Sequence, residues 1–223
     1  MQPFTVFLWL GWGIQLIRPL IPVGAILANR KSPRYVHLPW MDRLIISVLF
    51  DLLVNWTLLG LAFRHIHNAW LADLALVPQT MLSLWVLSSL GPRPIPAFIL
   101  APGAVAGLGS TLWEAVSTGF RGKWLVAMTV SSLIVFPLCL WKLKELLSQP
   151  DGEPAYRQPA FWLLGTWALD HGTMLIFYPL VDPFMHRLSP AWILVPWLVN
   201  YLIGLLLSFT LSWTFLCRKP VSS

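Results

Sequence analysis

Residues 44–63 read LIISVLFDLLVNWTLLGLAF. A helix needs roughly 20 predominantly apolar residues to cross the hydrocarbon core of a bilayer, and this stretch supplies them with one acid, Asp51, and one amide, Asn55, inside it. Outward from it the same pattern recurs between short polar breaks. The predicted spans are Pro3 to Ala28, Leu44 to Phe63, Ala69 to Leu90, Ala97 to Val116, Trp124 to Trp141, Pro159 to Leu180 and Ala191 to Cys217. The 223 residues are 57% hydrophobic and 11% charged, with a mean hydropathy of +0.70, and a water-soluble domain needs far more charge to cover its surface. The sequence therefore predicts an all-α polytopic transmembrane helical bundle of about seven spans. Residues 1–223 form a single integral membrane domain in this reading, with the lipid bilayer as its surroundings.

The first span is the least regular, because Arg18, Pro19 and Pro22 interrupt it. It reads as a kinked span, or as a short one followed by an interfacial segment. Arg18 either counterbalances a buried acid or marks the cytosolic end of a short first span, and the second reading is the simpler. The chain is apolar from Pro3 onward, without a positively charged leader or an A-x-A-like site, which predicts a retained span and not a cleaved signal. The longest break, Lys142 to Gln158, carries Ser148, Gln149, Pro150, Asp151, Gly152 and Glu153 and reads as a solvated turn.

Orientation follows from the loop Lys and Arg residues. One side holds Arg30, Lys31, Arg34, Arg43, Arg93, Lys142, Lys144, Arg157, Arg218 and Lys219, and the other holds Arg64, Arg121, Lys123 and Arg187. Ten against four predicts an N-terminus outside or in a lumen and a C-terminus in the cytosol. Tryptophans near span ends, among them Trp40, Trp70, Trp124, Trp141, Trp192 and Trp213, fit indole anchoring at the headgroups. The small residues Gly103, Ala104, Ala106, Gly107 and Gly109 allow close helix approach and predict a central place for the fourth span.

Several function classes are excluded or weakened by composition. The net charge of +6 is scattered through loops and forms no basic face, so no nucleic-acid partner is expected. Cys139 and Cys217 are too few and too far apart for a disulfide framework or a zinc site. Cys217 precedes Arg218 and Lys219, where a palmitoylated cysteine could sit, although a plain span-end residue is simpler. Asn55-Trp56-Thr57 matches a glycosylation sequon but lies inside a span. The sequence contains no H-E-x-x-H, paired D-D-x-x-D, C-x-x-C, P-loop, G-x-S-x-G or G-x-G-x-x-G pattern. Neither a metal nor another cofactor is expected.

The informative residues are the polar ones at bilayer depth, since a charge there costs about 2.5–3.5 kcal/mol or more on insertion scales. They are Asp51 and Asn55 in the second span, Asp73 and Gln79 in the third, Glu114 in the fourth, Asp170 and His171 in the sixth, and Asn200 and Tyr201 in the seventh. At a rise of about 1.5 Å per residue, Asp170, His171, Asn55 and Asn200 fall near mid-membrane. Asp73 and Glu114 fall toward the lumenal side, and Asp51 toward the cytosolic side. The i, i+4 spacing of Asp51 and Asn55 puts both on one face, where the amide can satisfy the carboxylate. Asp73 reads as an acid solvated at the interface. Asp170 and His171 point about 100° apart and can address one site from neighbouring directions, the acid to donate a proton and the imidazole to accept one. The candidate catalytic set is thus Asp170, His171, Glu114 and Asp51. Asn55, Asp73, Gln79, Asn200 and Tyr201 are the candidate substrate-binding set. The blander alternative for all of them is interhelical hydrogen bonding.

In size, span count and scattered intramembrane acids the chain resembles the small seven-span cyclases and epoxide-opening enzymes of fungal natural-product pathways. The membrane-bound meroterpenoid cyclases carry an Asn-x-x-Trp-Glu element in an early span. Here the corresponding stretch is Asp51-Leu-Leu-Val-Asn55-Trp56, with the acid before the Asn and no Glu after the Trp, so no catalytic residue is carried over. The resemblance implies a cofactor-free lyase or isomerase acting on an apolar isoprenoid or polyketide substrate in secondary-metabolite biosynthesis, at the endoplasmic reticulum of a eukaryote. One buried acid would protonate an epoxide or alkene, and a base would remove a proton or activate water.

A transporter is the second expectation. Pro78-Gln79 matches the dipeptide of PQ-loop transporters, although no second PQ follows in the sixth or seventh span. A receptor or pigment protein ranks last, because the seventh span has no lysine for a retinal Schiff base and the cytoplasmic loops are short.

Overall fold

The computed structural model describes residues 3–30, 38–66, 68–91, 93–118, 125–148, 154–185 and 194–217. Within them the chain forms eight α-helices and no strand. In order these are α1 (Pro3–Ile17), α2 (Leu20–Arg30), α3 (Pro39–Phe63), α4 (Ala69–Ser88), α5 (Ala97–Thr118), α6 (Leu125–Leu147), α7 (Pro159–Met185) and α8 (Leu194–Leu216), with a 3-10 turn at Ala155–Arg157 before α7. Six segments are long and apolar enough to cross a membrane, one of them Trp9–Asn29, which joins α1 and α2 across their break. α7 is also long enough, since its 27 residues span about 40 Å, but Asp170 and His171 dilute its apolar content. The chain is an integral, multi-pass membrane protein built as an all-α bundle.

Local chemistry sets the helix ends. α3 opens with Pro39 in its first turn after an extended Leu38, a position where the missing N–H costs nothing. It closes on His65, which takes φ +57°. The Ile66 amide then donates to Leu61 O at 2.9 Å and the His65 amide to Ala62 O at 3.0 Å. This is the Schellman pattern, with a histidine where glycine is usual.

Successive spans run antiparallel, α1 and α2 together forming the first. Trp12 packs on Phe63 at one face of the bundle, near the start of the span Trp9–Asn29 and where α3 ends. Trp162 packs on Trp213 at the other, where α7 begins and α8 ends. The apolar core lies toward that second face, where Trp40, Met41, Leu44, Leu87, Leu90, Val135, Leu163, Leu164 and Phe215 are buried together. α6 and α7 form the most extensive helix pair. Their closeness depends on Gly172, where an added Cβ would stand 3.0 Å from the Phe136 ring.

Several sequence expectations need correction. α3 begins five residues earlier than the hydropathy suggests, because Trp40 and Met41 are buried and Arg43 folds back to donate to Trp85 O at 3.0 Å. Asp51 therefore sits midway along its helix and not toward the cytosolic end. α6 continues through Leu147, so Lys142 is a buried helical residue and not part of a solvated loop. It pairs with Glu145 at 2.9 Å and donates to Arg93 O. α5 is peripheral, not central. It packs on α4 and α6 and leaves Phe98, Val105, Trp113 and Val116 exposed. Gly103 and Gly107 do serve close approach, to Ile134 and Thr80 respectively, whereas Gly109 faces open space. Trp40 is a core residue and not a headgroup anchor. Trp124, Trp192 and the start of the last predicted span at Ala191 lie outside the described residues, as do Lys31, Arg34, Arg121, Lys123, Arg187, Arg218 and Lys219.

Candidate functional site

At mid-depth α3, α4, α6 and α7 carry a belt of polar contacts, built largely from adjacent residues that face different neighbouring helices. Gln79 Nε2 on α4 donates to Asp51 Oδ1 on α3 at 2.9 Å. The next residue, Thr80, shares a hydrogen bond with Ser131 on α6 at 2.8 Å. Ser132 follows, and its Oγ lies 3.2 Å from His171 Nδ1 on α7. Asp170 precedes His171, and its charge acts on both His171 and Asp51. Adjacent helical residues diverge by about 100°, so each pair touches one neighbouring helix on either side. Thus Gln79 faces α3 while Thr80 faces α6. The Thr80 hydroxyl also donates to its own helix, to Leu76 O at 2.9 Å, which satisfies its donor at little conformational cost.

Asp170 stands out within the belt. Its Oδ1 is buried without a hydrogen-bond partner among the described residues, although an unmet buried acceptor costs about 1–3 kcal/mol. His171 is oriented by Ser132 through Nδ1, leaving Nε2 for other chemistry.

A second group adjoins this belt from the first span. Arg18 lies at the break between α1 and α2, midway along Trp9–Asn29. Its guanidinium rests on Gly204 of α8 so closely that an added Cβ would stand 2.8 Å from Nη1 and 2.9 Å from Cζ. The Arg18 charge acts on Asp51, on Tyr178 of α7 and on Tyr201 of α8. Tyr178 also feels Asp170 and Tyr201. The Tyr201 ring lies against Gly11 of α1, where an added Cβ would stand 3.2 Å away, and Gln15 lies beside its hydroxyl.

Asp51, Gln79, Asp170, His171 and Tyr201 are therefore brought into one neighbourhood. Asn55 is not the partner of the Asp51 carboxylate that the i, i+4 spacing suggests. Its Nδ2 donates to the Asp51 backbone carbonyl at 2.8 Å, and Gln79 takes the carboxylate instead. Asn200 is buried one helical turn from Gly204, and its Oδ1 has no partner among the described residues. Glu114 lies elsewhere. Its carboxylate accepts the Ala127 amide at 2.8 Å and the Val126 amide at 3.3 Å, at the N-terminus of α6 where free amides and the helix dipole favour an anion. Asp73 falls in α4, and its side chain lies outside what the structure describes.

Sequence reading passed over Ser131, Ser132, Thr80 and Tyr178, and left Arg18 between a counterbalance for a buried acid and a span end, with the span end as the simpler. The Ser131-Ser132 doublet in the middle of a span was the available signal for the first two. For Arg18 the sequence left open whether the span ends there or continues through a kink, and in the structure it continues, with Arg18 central in Trp9–Asn29. Comparison with protein-family models, curated proteins and solved structures finds no match to this chain.

Proposed function

We propose that this chain is a membrane-embedded acid–base enzyme that opens an epoxide, or protonates an alkene, in an isoprenoid or polyketide substrate. The observation that carries the reading is the Asp170 carboxyl at mid-bundle, whose Oδ1 is buried without a partner among the described residues, beside a histidine whose ring is already oriented. A structural carboxylate in a packed bundle is normally satisfied by the protein, as Glu114 and Asp51 are here. A group that meets a ligand is the usual exception.

In the proposed reaction Asp170 gives its proton to the epoxide oxygen as the C–O bond breaks and the bonding pair stays with that oxygen. The carbon left electron-poor is captured by a substrate double bond or by water. His171 Nε2 accepts the proton released in that step, while Ser132 keeps the ring in place. Asp51, held by Gln79, stabilises the positive charge that develops. The loop charge balance supports a cytosolic C-terminus, and the apolar substrate class fits the endoplasmic reticulum.

The test is metabolite conversion in microsomes from a host expressing the chain. Asp170→Asn and His171→Ala should each abolish turnover of an epoxidised isoprenoid while the protein still inserts. Unchanged product in both variants would sink the assignment.

A transporter reading draws on one specific feature, the break at Arg18 and Pro19 in the middle of a span, because interrupted helices line substrate sites in transporters. Uptake of substrate into sealed vesicles without chemical change would favour it over catalysis.

A further inference from the structure

We infer that Arg18 is the recognition group for a neutral, oxygenated head on an amphiphilic ligand, with a carbonyl or ether oxygen taken by its guanidinium and a hydroxyl given to Asp170. The inference rests on the reading that the Asp170 neighbourhood is the ligand site, and it names the ligand's chemistry.

Its first support is the unmet capacity on both sides. The guanidinium carries five N–H donors, yet no hydrogen bond or ion pair to it is found among the described residues, and its interactions with Asp51, Tyr178 and Tyr201 are through space. Two buried acceptors are without partners among the described residues: Asp170 Oδ1, whose charge acts with that of Arg18 on Asp51 and Tyr178, and Asn200 Oδ1, one helical turn from the Gly204 on which the guanidinium rests. Donors and acceptors left open in one neighbourhood call for a ligand that both accepts and donates. A hydrocarbon would satisfy neither.

Second, the chain is shaped to hold Arg18 at this depth. The break after Ile17 lets the side chain enter the bundle, and Gly204 supplies the flat surface on which the guanidinium lies. An arginine serving only as a span-end anchor would reach for the headgroups and would need no such platform.

Third, the charge count selects a neutral head. The Arg18 charge is opposed by the neighbouring Asp51 carboxylate, which leaves no uncompensated positive charge to receive a carboxylate or phosphate, and transferring an uncompensated ion into low dielectric is costly. An ammonium head would be repelled by Arg18.

Binding can be measured without turnover by tryptophan fluorescence titration of the purified full chain in detergent, using three probes with the same tail: monoolein, oleate and oleylamine. Monoolein should bind saturably and more tightly than the two charged probes. Arg18→Gln and Gly204→Ala should each weaken monoolein binding by at least about fivefold, the loss expected for one or two hydrogen bonds. Arg18→Lys should recover part of it. Gly204→Ala displaces only the flexible end of Arg18, so a fold defect is not expected to mask the result. This titration reads binding alone, whereas the Asp170→Asn and His171→Ala variants are read by product formation, so binding and catalysis fail separately. Tighter binding of oleate or of oleylamine would overturn the neutral-head assignment. Equal monoolein binding by wild type, Arg18→Gln and Gly204→Ala would overturn the role of Arg18 and leave adsorption to the lipid-facing surface.

Discussion

The Ser132 hydroxyl on α6 meets Nδ1 of His171 on α7 at 3.2 Å, and it is the contact through which the belt fixes an imidazole at mid-depth. Ser132→Ala frees the ring while leaving its charge and volume nearly unchanged. Stability should fall by only about 0.6 kcal/mol, the average for an interhelical hydrogen bond in a membrane protein, as read by thermal unfolding in detergent. Conversion should fall about tenfold or more, because a misplaced base loses its orientation. A variant that loses stability and activity in the same small proportion would reduce Ser132 to a packing role.

Glu114 offers the opposite expectation. Its carboxylate caps the first amides of α6, so Glu114→Ala should lower stability by about 1 kcal/mol. Glu114→Gln, which keeps an acceptor, should lose less. Turnover per folded molecule should be unchanged in both, measured against the amount of inserted protein. A selective loss of turnover in Glu114→Gln would return this residue to the catalytic set.

His65 ends α3 in the left-handed region at φ +57°. A non-glycine residue there costs roughly 1 kcal/mol, and the flanking Schellman bonds survive its replacement. His65→Gly should therefore stabilise the protein by about 0.5–1 kcal/mol, seen as a higher unfolding temperature. A lower temperature would mean that the imidazole makes a contact worth more than the strain.

At Gly103 an added methyl would stand 2.8 Å from Ile134 Cγ2. Gly103→Ala should destabilise the α5–α6 contact by about 1–3 kcal/mol. Combining it with Ile134→Ala, which removes the obstructing branch, should restore much of the loss. Additive effects in the double variant would show that the two sites do not press on each other.

Lys142 and Glu145 form a buried pair at 2.9 Å, with side chains 2% and 17% exposed. Lys142→Met strands Glu145 and should cost about 3–5 kcal/mol. Lys142→Met with Glu145→Leu should recover most of that cost, because the partner charge is gone. The comparison is again by thermal unfolding.

The spans and their order were legible because crossing a bilayer imposes a length and a composition that local sequence must meet. The ends were less so. Hydropathy treats Asp42, Arg43 and Lys142 as loop residues, whereas Arg43 finds an acceptor on α4 and Lys142 finds one in the connection between α4 and α5, which allows α3 and α6 to run longer. At the site, Asp170, His171, Asp51 and Gln79 could be picked out because a polar group at that depth needs a reason. Which of them meet could not be read. The Asp51–Asn55 spacing proposes a local pair, but the Asn55 amide instead bonds the backbone of its own helix, and the carboxylate partner comes from α4.

The sequence by itself determined that this is an α-helical membrane protein with acids at mid-depth, because the hydrophobic requirement acts on each segment separately. Only the tertiary structure decided that Arg18 lies inside the bundle on Gly204, that Glu114 caps α6 while Asp170 keeps an open oxygen, and that α5 is peripheral. Those outcomes depend on which helix faces which. In a bilayer every helix exterior is comparably apolar, so the hydrophobic pattern carries little information about the neighbour.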